Sequence, residues 1–242
     1  MWQRIQTAVE ILYPPRCMGC GDLVLSEFGL CGPCWRDTLF IEGTVCESCG
    51  VPLPGNPDGH RLDCDDCMKT PRAWSEGRST LLYSGHARRL VLGLKHGDRP
   101  EIARPAAKWM ARAGKPLLRP DMLIVPVPLY WTRLLRRRYN QSALLARELS
   151  LETGLPTCPD LLIRHRRTEM LDGKNHAERR AALSGAIAPH PRRKDRAAGR
   201  SILLIDDVMT SGATLEACAR ATYKAGADQV FVLTLARVAK DP

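Results

Sequence analysis

The sequence predicts an α/β protein in which a parallel sheet with helices on both faces follows a small cysteine-rich domain. From residue 79 onward, apolar β-rich segments alternate with segments of helical spacing, which is the pattern of a parallel sheet. Residues 17–70 have little hydrophobic periodicity and many Gly and Pro residues, and they hold eight of the ten cysteines. These observations predict two domains, residues 1–70 and residues 71–242.

The first domain begins with residues 1–16, whose apolar spacing predicts an amphipathic helix ended by two prolines. Its remaining residues are rich in turn formers and cannot bury a large core, so something other than hydrophobic packing must stabilise them. The composition of residues 69–73 indicates a linker to the second domain.

The second domain is divided into strands and helices by its hydrophobic pattern. Strands are predicted at residues 79–83, 122–127, 161–164, 201–205 and 229–235. Helices are predicted at residues 86–95, 102–113, 139–153, 176–183 and 212–225. Gly154 and Gly226 mark two of the helix ends. The basic residues 188–200 are predicted to form a loop.

The net charge is distributed unevenly along the 242 residues. Residues 1–70 hold 5 Lys and Arg against 10 Asp and Glu, whereas residues 71–242 hold 31 against 16. The basic part predicts affinity for polyanions, either phosphorylated small molecules or nucleic acid, unless the charge serves solubility alone. No apolar run reaches the roughly 18 residues that span a bilayer, and no secretory signal is recognisable. We therefore expect a cytoplasmic protein without membrane insertion.

The cysteines of the first domain form four CxxC pairs. They are Cys17/Cys20, Cys31/Cys34, Cys46/Cys49 and Cys64/Cys67. Each pair presents two thiolates to one tetrahedral ion, which favours two structural zinc sites over redox pairs or free thiols. Pairing of neighbouring motifs is favoured over interleaving because each loop then closes locally. Zinc binding would supply the folding energy that the small core lacks.

A closed four-thiolate site has no open coordination position, so catalysis at zinc is not expected. Nucleic acid could contact the loops of this domain, but its acidic balance disfavours direct phosphate contact. Cys158 and Cys218 stand alone in the sequence, and Cys218, inside the predicted helix 212–225, is expected in the core.

A strand, an acidic pair and a loop of small residues follow one another at residues 203–214, with the sequence LLIDDVMTSGAT. Asp206 and Asp207 come at the carboxyl end of the strand, where open α/β sheets bind ligands. The loop opens a helix, and its hydroxyl and free N–H groups suit a phosphate. Two carboxylates beside a phosphate are explained if they hold ribose hydroxyls or a divalent cation.

We therefore predict a site for a ribose 5-phosphate at this position. Its candidate residues are Asp206, Asp207, Val208, Met209, Thr210, Ser211, Gly212, Ala213 and Thr214. The alternative is that some of them only cap the following helix. The segment matches neither a Walker A loop nor a GxGxxG motif.

The segment LLIDDVMTSGAT resembles the 5-phosphoribosyl 1-pyrophosphate (PRPP) loop of type I phosphoribosyltransferases. Nearly the whole chain resembles the ComF family, on its cysteine pairs, LKHGD at residues 94–98, VPVPL at residues 125–129 and RLLRRRYNQ at residues 133–141. The resemblance implies a double zinc ribbon followed by a phosphoribosyltransferase domain that binds PRPP with Mg²⁺. It also implies a role in natural competence, with single-stranded DNA and competence-machinery proteins as partners, or in nucleotide salvage.

The resemblance extends to basic residues outside the loop. It implies that Lys95 lies near the site and that Arg133 and Arg137 contribute to binding the diphosphate of PRPP. An ordinary surface lysine and a solvated basic helix start are the alternatives. Asn140 and Gln141 are either helix caps or ligands.

The sequence also departs from the family pattern. Arg138 stands where family members often have Gly, residues 165–176 contain no Gln, and Ala182 occupies a position that is often Asn. These changes concern the loop that would cover the site rather than PRPP binding.

Three functions are consistent with these features. The first is an enzyme that transfers phosphoribosyl from PRPP to an acceptor with release of pyrophosphate. The second is a nucleic-acid-handling module, with Trp109, Trp131 and Tyr139 as candidates for base stacking. The third is a PRPP sensor without turnover. No feature of the sequence identifies an acceptor.

Overall fold

The computed structural model describes residues 14–25, 29–55, 59–96, 98–166 and 185–239. The helix predicted at residues 176–183 and most of the one predicted at residues 1–16 lie outside these ranges. Residues 14–16 are not helical, and Arg16 instead forms a β-bridge with Leu23. In the described part of the chain, no helix combines the length and hydrophobicity needed to span a bilayer.

The cysteine-rich region consists of turns, isolated β-bridges and two short helices, α1 (Gly32–Arg36) and α2 (Asp65–Lys69). Its two halves repeat one turn, in which a glycine follows the second cysteine of a CxxC pair. Gly21 N–H donates to the Cys17 carbonyl at 2.9 Å, and Gly50 N–H donates to the Cys46 carbonyl at 2.8 Å. Both glycines have positive φ, so the turn requires a residue that tolerates the left-handed region.

Four parallel strands form the main sheet, as predicted. They are β1 (Glu76–Leu82), β2 (Leu123–Pro126), β5 (Ser201–Met209) and β6 (Gln229–Arg237), in the order β1-β6-β5-β2. A separate antiparallel pair joins β3 (Leu162–Arg164) to β4 (Ile187–Pro189). The prediction of a continuous loop at residues 188–200 was therefore wrong at its start, where pairing with β3 creates a strand.

The longer helices follow the predicted pattern closely. They are α3 (Gly85–His96), α4 (Ala103–Gly114), α6 (Gln141–Thr153) and α7 (Ala213–Lys224), with the short α5 (Trp131–Arg137) before α6. One face of the sheet packs against α3, α4 and α6 through residues such as Leu90, Met110 and Leu149. The other face packs against α7, for example through Leu215 and Val232. Helices thus cover both faces, which confirms the predicted fold class.

The cysteine-rich region covers the β1 edge of the sheet. Ile41 N–H donates to the Thr80 carbonyl, and Leu82 N–H donates to the Leu39 carbonyl, each at 2.9 Å. This pairing satisfies an edge strand that would otherwise expose its backbone groups. Cys46 and Cys49 are fully buried in the same core as α7. Contacts therefore cross the predicted boundary near residue 70, while the boundary itself stays a prediction.

Strand β5 is longer than the predicted residues 201–205. It continues to Met209 because β6 runs beside it, pairing Asp206 with Thr234 and Met209 with Arg237. The acidic pair therefore lies within the last paired residues of a central strand. This backbone pairing fixes where the two carboxylates leave the sheet.

Candidate phosphoribosyl site and zinc centres

The acidic pair sits between the sheet and two helices. Asp206 Oδ1 accepts hydrogen bonds from Ser142 Oγ and from the Asp207 N–H, both at 2.9 Å. Asp207 Oδ1 lies 3.0 Å from Lys95 Nζ, and the Asp207 residue is 7% exposed. Burial, followed by the negative charge of Asp207, raises the pKa of Asp206 to about 7, although Lys95 and Ser142 oppose the shift.

The start of helix α6 supports this arrangement. Asn140 caps α6, since its side chain accepts from Ser142 N–H at 3.1 Å, and its amide donates to the Val127 carbonyl at 3.0 Å. Gln141 donates to the Lys95 carbonyl at 3.4 Å and accepts from Arg137 Nη1 at 3.2 Å. Both residues therefore organise the elements around the site. Sequence reasoning missed Ser142, since one serine in a helix start carries no distinctive signal.

The candidate phosphate loop (residues 208–214) connects β5 to α7. Val208 and Met209 complete the strand, Thr210 is exposed, Ser211 is half-buried, and Ala213 and Thr214 begin the helix. Gly212 is the N-cap with φ 81°, and a Cβ at this position would lie 3.1 Å from Trp74 and 3.3 Å from Arg72 Nη1. The loop thus runs close to residues that belong to the cysteine-rich side of the molecule.

Two arginines donate hydrogen bonds to the backbone of this loop, and neither was predicted from the sequence. Arg237 Nη1 donates to the carbonyls of Met209 and Thr210 at 3.1 and 2.6 Å. Arg72 Nη1 donates to the Ser211 carbonyl at 2.9 Å. Three consecutive carbonyls are therefore held by two guanidinium groups. This contact could not be predicted, because Arg72 lies in the predicted linker and is 139 residues from Ser211.

Basic residues gather beside the acidic pair. Burial lowers the pKa of the His96 imidazole, and the nearby charges of Arg137, Lys95 and Arg136 lower it further. Burial also lowers the pKa of Arg164, and the charge of Arg133 adds to the shift while that of Asp206 opposes it. Of the three predicted basic residues, Lys95 contacts the acidic pair directly through Asp207, Arg137 contacts Gln141, and Arg133 lies near enough to Arg164 to lower its pKa.

Arg138 is a special case within this basic segment. It ends α5 with φ 66°, in the left-handed region that favours glycine. Its guanidinium pairs with Asp98 at 3.0 Å on the surface. The backbone conformation explains why glycine suits this position in similar sequences.

The eight paired cysteines form two tetrahedral ligand sets among the described residues. The first zinc site contains Cys17, Cys20, Cys31 and Cys34, and the second contains Cys46, Cys49, Cys64 and Cys67, with all sulfurs of a set within 4.8 Å of one another. Four thiolates at this spacing fit zinc, and the predicted pairing of neighbouring motifs is confirmed. Cys218 is buried in the core, as expected, and Cys158 is buried as well.

The two zinc sites differ in what surrounds their sulfurs. In the first, Cys17 Sγ accepts from the N–H groups of Cys31 and Gly19 at 3.2 and 3.3 Å. Burial raises the pKa of Cys17, but these donors outweigh it and lower the value to about 6. Cys34 Sγ lies 3.4 Å from His86 Nε2.

In the second zinc site the donors are the two arginines under the loop. Arg72 Nε donates to Cys67 Sγ at 3.3 Å, and Arg237 Nη2 donates to Cys49 Sγ at 3.8 Å. Hydrogen bonds with Cys46 and Cys67 hold the pKa of Cys49 well below its ordinary value. Burial opposes this shift, and the charge of Arg237 adds to it.

The fold and the two four-cysteine sets together define a protein with two zinc sites and a parallel-sheet α/β domain. Residues 8–68 match the double zinc ribbon domain family. The glutamine PRPP amidotransferase of Bacillus subtilis aligns with a TM-score of 0.40 and 16% identity, over 59% of this chain and 30% of that chain.

Full-length relatives identify the family. DNA utilization protein YhgH of Salmonella typhi is 32% identical over 231 residues, covering 93% of this chain and 97% of the relative. Competence protein F of Haemophilus influenzae is 29% identical over 228 residues, covering 92% and 96%. The chain belongs to the ComF family.

Proposed function

We propose that this protein binds PRPP, with Mg²⁺, at the end of strand β5. The observation that carries the proposal is the acidic pair, Asp206 and Asp207, directly before the phosphate loop. The carboxylates would accept hydrogen bonds from the ribose hydroxyls, and the loop would hold the 5-phosphate. Lys95, which contacts Asp207, and Arg137, which contacts Gln141 next to Lys95, would face the diphosphate.

The same arrangement suits phosphoribosyl transfer. The bond between the anomeric carbon and the diphosphate would break, positive charge would develop on the ribose, and an acceptor nitrogen would form the new bond. Asp206 and Asp207 would stabilise the developing positive charge, and the cations around them would stabilise the leaving pyrophosphate. Mg²⁺, when bound with PRPP, would neutralise part of the diphosphate charge.

Calorimetry with PRPP and Mg²⁺ tests the binding step. We expect a 1:1 heat of binding with the natural chain and none with the variant that combines Asp206→Asn and Asp207→Asn. Asp195→Asn is the matched control, because this exposed acid lies in the turn Lys194–Arg196 before the start of β5, whereas the acidic pair lies near the end of that strand. Undiminished binding by the double variant would overturn the proposal.

Release of pyrophosphate, measured across a panel of nucleobases and ammonia, separates an enzyme from a sensor. Turnover with one acceptor would identify the reaction. Binding of PRPP without pyrophosphate release across the panel would leave a PRPP-responsive module as the function. Either role is compatible with DNA uptake, which the name of the Haemophilus influenzae relative suggests, or with nucleotide salvage.

Binding of single-stranded DNA is a second candidate function, favoured by one surface. A cavity of about 320 Å³ is lined by Trp35, Phe40, Trp109 and Arg112 at the junction of the zinc ribbon and α4. Helix α4 also exposes Arg104 and Lys108, and the exposed Lys115 follows directly after it. Aromatic faces stack bases and cations attract the phosphate backbone, so the surface suits a single strand.

Of the three aromatic residues expected to stack bases, only Trp109 lines this cavity. Trp131 is 59% exposed on α5, and the Tyr139 hydroxyl donates to the Leu94 carbonyl. We expect Trp35→Ala to weaken oligothymidine binding about tenfold, given the worth of one stacked base. Trp131→Ala tests the candidate outside the cavity, and unchanged oligothymidine binding by Trp35→Ala would exclude this surface.

A further inference from the structure

We propose that Arg72 and Arg237 are positioning residues that tie the phosphate loop to the second zinc site. Zinc in that site would then set the conformation of the loop, and a ligand on the loop would in turn retain the zinc. This inference rests on the proposed function for its ligand, but its central claim concerns the loop itself.

Arg237 connects the two features inside the core. One guanidinium nitrogen donates to the carbonyls of Met209 and Thr210, while the other donates to Cys49 Sγ at 3.8 Å. The residue is 5% exposed, and its Nε atom has no partner within the described residues. The same Nη1 also donates to the Val238 carbonyl at 2.6 Å, so this buried cation is stabilised by the thiolate, by the two loop carbonyls and by the backbone just after β6.

Arg72, which follows the Cys64/Cys67 pair in the chain, makes the second connection between the zinc site and the loop. Its Nε donates to Cys67 Sγ at 3.3 Å and its Nη1 donates to the Ser211 carbonyl at 2.9 Å. The guanidinium also lies 5.7 Å from the centre of the Trp74 ring, whose Nε1 donates to the Ser48 carbonyl in the second ribbon. The Arg72 side chain is therefore held by Cys67 at one end and by Ser211 at the other, with the Trp74 ring beside it.

The charges of the connection balance only when the metal is present. Four thiolates around one Zn²⁺ carry a net charge of −2, and the two guanidinium groups carry +2. Loss of zinc would release the four sulfurs from one another, so the two guanidinium groups would lose the sulfur acceptors, Cys49 Sγ and Cys67 Sγ, that hold them. Retaining them in place would then be costly, so we expect the arginines to withdraw from the loop.

The contacts also determine which way the loop amides point. In a trans peptide the C=O and the following N–H point in opposite directions. Because the arginines hold the carbonyls of residues 209–211, the N–H groups of Thr210, Ser211 and Gly212 point away from them. Consecutive N–H groups with one common direction form a concave anion site. The second zinc site, through the two arginines, would thus orient the loop N–H groups that a phosphate needs.

The first test follows the loop directly, without PRPP. Hydrogen exchange of residues 208–214, measured on the zinc-loaded full chain, should accelerate roughly tenfold in Arg72→Met and in Arg237→Met. Arg99→Met is the matched control, because Arg99 Nη1 donates to the Met18 carbonyl beside the first zinc site at 3.0 Å. Unchanged loop exchange in folded Arg72→Met, with both ions retained, would overturn the inference.

The second test uses the reciprocity of linked binding. In protein loaded with ¹¹³Cd, each site gives its own NMR signal, and PRPP should shift the second-site signal and slow chelator removal of that ion alone. Arg72→Met should abolish both effects, while Arg72→Lys should restore them in part. Absence of PRPP binding to the natural chain would refute the proposed function only. Binding of PRPP without any effect on the second site would refute the linkage.

Discussion

The two zinc sites have the same ligands but different surroundings. In the first site Cys20 is exposed, Cys17 Sγ accepts hydrogen bonds from the neighbouring backbone, and Cys34 Sγ lies 3.4 Å from His86 Nε2 of α3. In the second site Cys46 and Cys49 are completely buried, and two arginines join the sulfurs to the phosphate loop. One metal-binding motif therefore serves two purposes, closing a local turn in one case and supporting a distant loop in the other.

The largest effect is expected from comparing the loss of the first zinc site with the loss of the second. Replacing Cys46 and Cys49 by serine should destabilise the fold by several kcal/mol, on the order of a structural zinc contribution, and abolish PRPP binding. Replacing Cys17 and Cys20 should remove one zinc ion per chain while leaving PRPP affinity within about threefold. Zinc content, thermal unfolding and calorimetry measure the three quantities. Equal losses of PRPP affinity would remove the distinction between the sites.

Substitution of the equivalent glycines, Gly21 and Gly50, tests the same difference between the two zinc sites with a smaller expected effect. Gly21→Ala should cost about 1 kcal/mol of unfolding free energy, because φ is 85° but the surrounding space is open. Gly50→Ala should cost about 3 kcal/mol or more, since its Cβ would also lie 2.5 Å from the Ser79 nitrogen of β1. Chemical denaturation compares the two variants. A larger loss for Gly21→Ala would contradict the view that only the second ribbon is packed tightly on the sheet.

The pH dependence of protein stability should reveal the contribution of the acidic pair independently of the zinc sites. The folded protein holds a proton on Asp206 up to about pH 7, whereas the unfolded chain loses it near pH 3.8. This proton therefore favours the folded state below that range, and its contribution falls as the pH rises from about 4 to about 7. Asp206→Asn should then raise the melting temperature at about pH 8, where the natural side chain is a buried charge.

The protonation state of Asp206 should also control the affinity for PRPP. If the ribose and Mg²⁺ require ionised Asp206, PRPP affinity should fall about tenfold for each pH unit below 7. Both zinc ions should stay bound over the upper part of this range. Calorimetry combined with zinc analysis at each pH measures the two responses. A fall in affinity that coincides with zinc loss would assign the effect to the second site instead.

The smallest effect is expected at His86. Its Nε2 lies 3.4 Å from Cys34 Sγ, so His86→Ala should accelerate release of the first zinc ion by a few-fold, in the range of one hydrogen bond. Loop exchange and PRPP affinity should not change, because His86 contacts only the first site among the partners described. Chelator-induced release followed by absorbance gives the rate. A response of the loop to this variant would show that the first site is also coupled to it.

Much of the site was predictable because its parts are close in the chain. The two aspartates, the loop and the start of α7 are consecutive, so their order alone places them at one strand end. The cysteine pairs were equally clear because ligand spacing reflects the geometry of one ion. The strand predicted at residues 201–205 was too short, since its extension depends on pairing with β6 rather than on its own hydrophobicity.

Sequence by itself therefore determined the ligand sets of both zinc sites, the fold class and the position of the acidic pair. Only the tertiary structure decided what holds these features together. Ser142 and Asp206 are 64 residues apart, Arg72 and Ser211 are 139 apart, and Cys49 and Arg237 are 188 apart. Motifs of adjacent residues are encoded by local spacing, whereas contacts over such separations follow from how the ribbon covers β1 and where β6 ends.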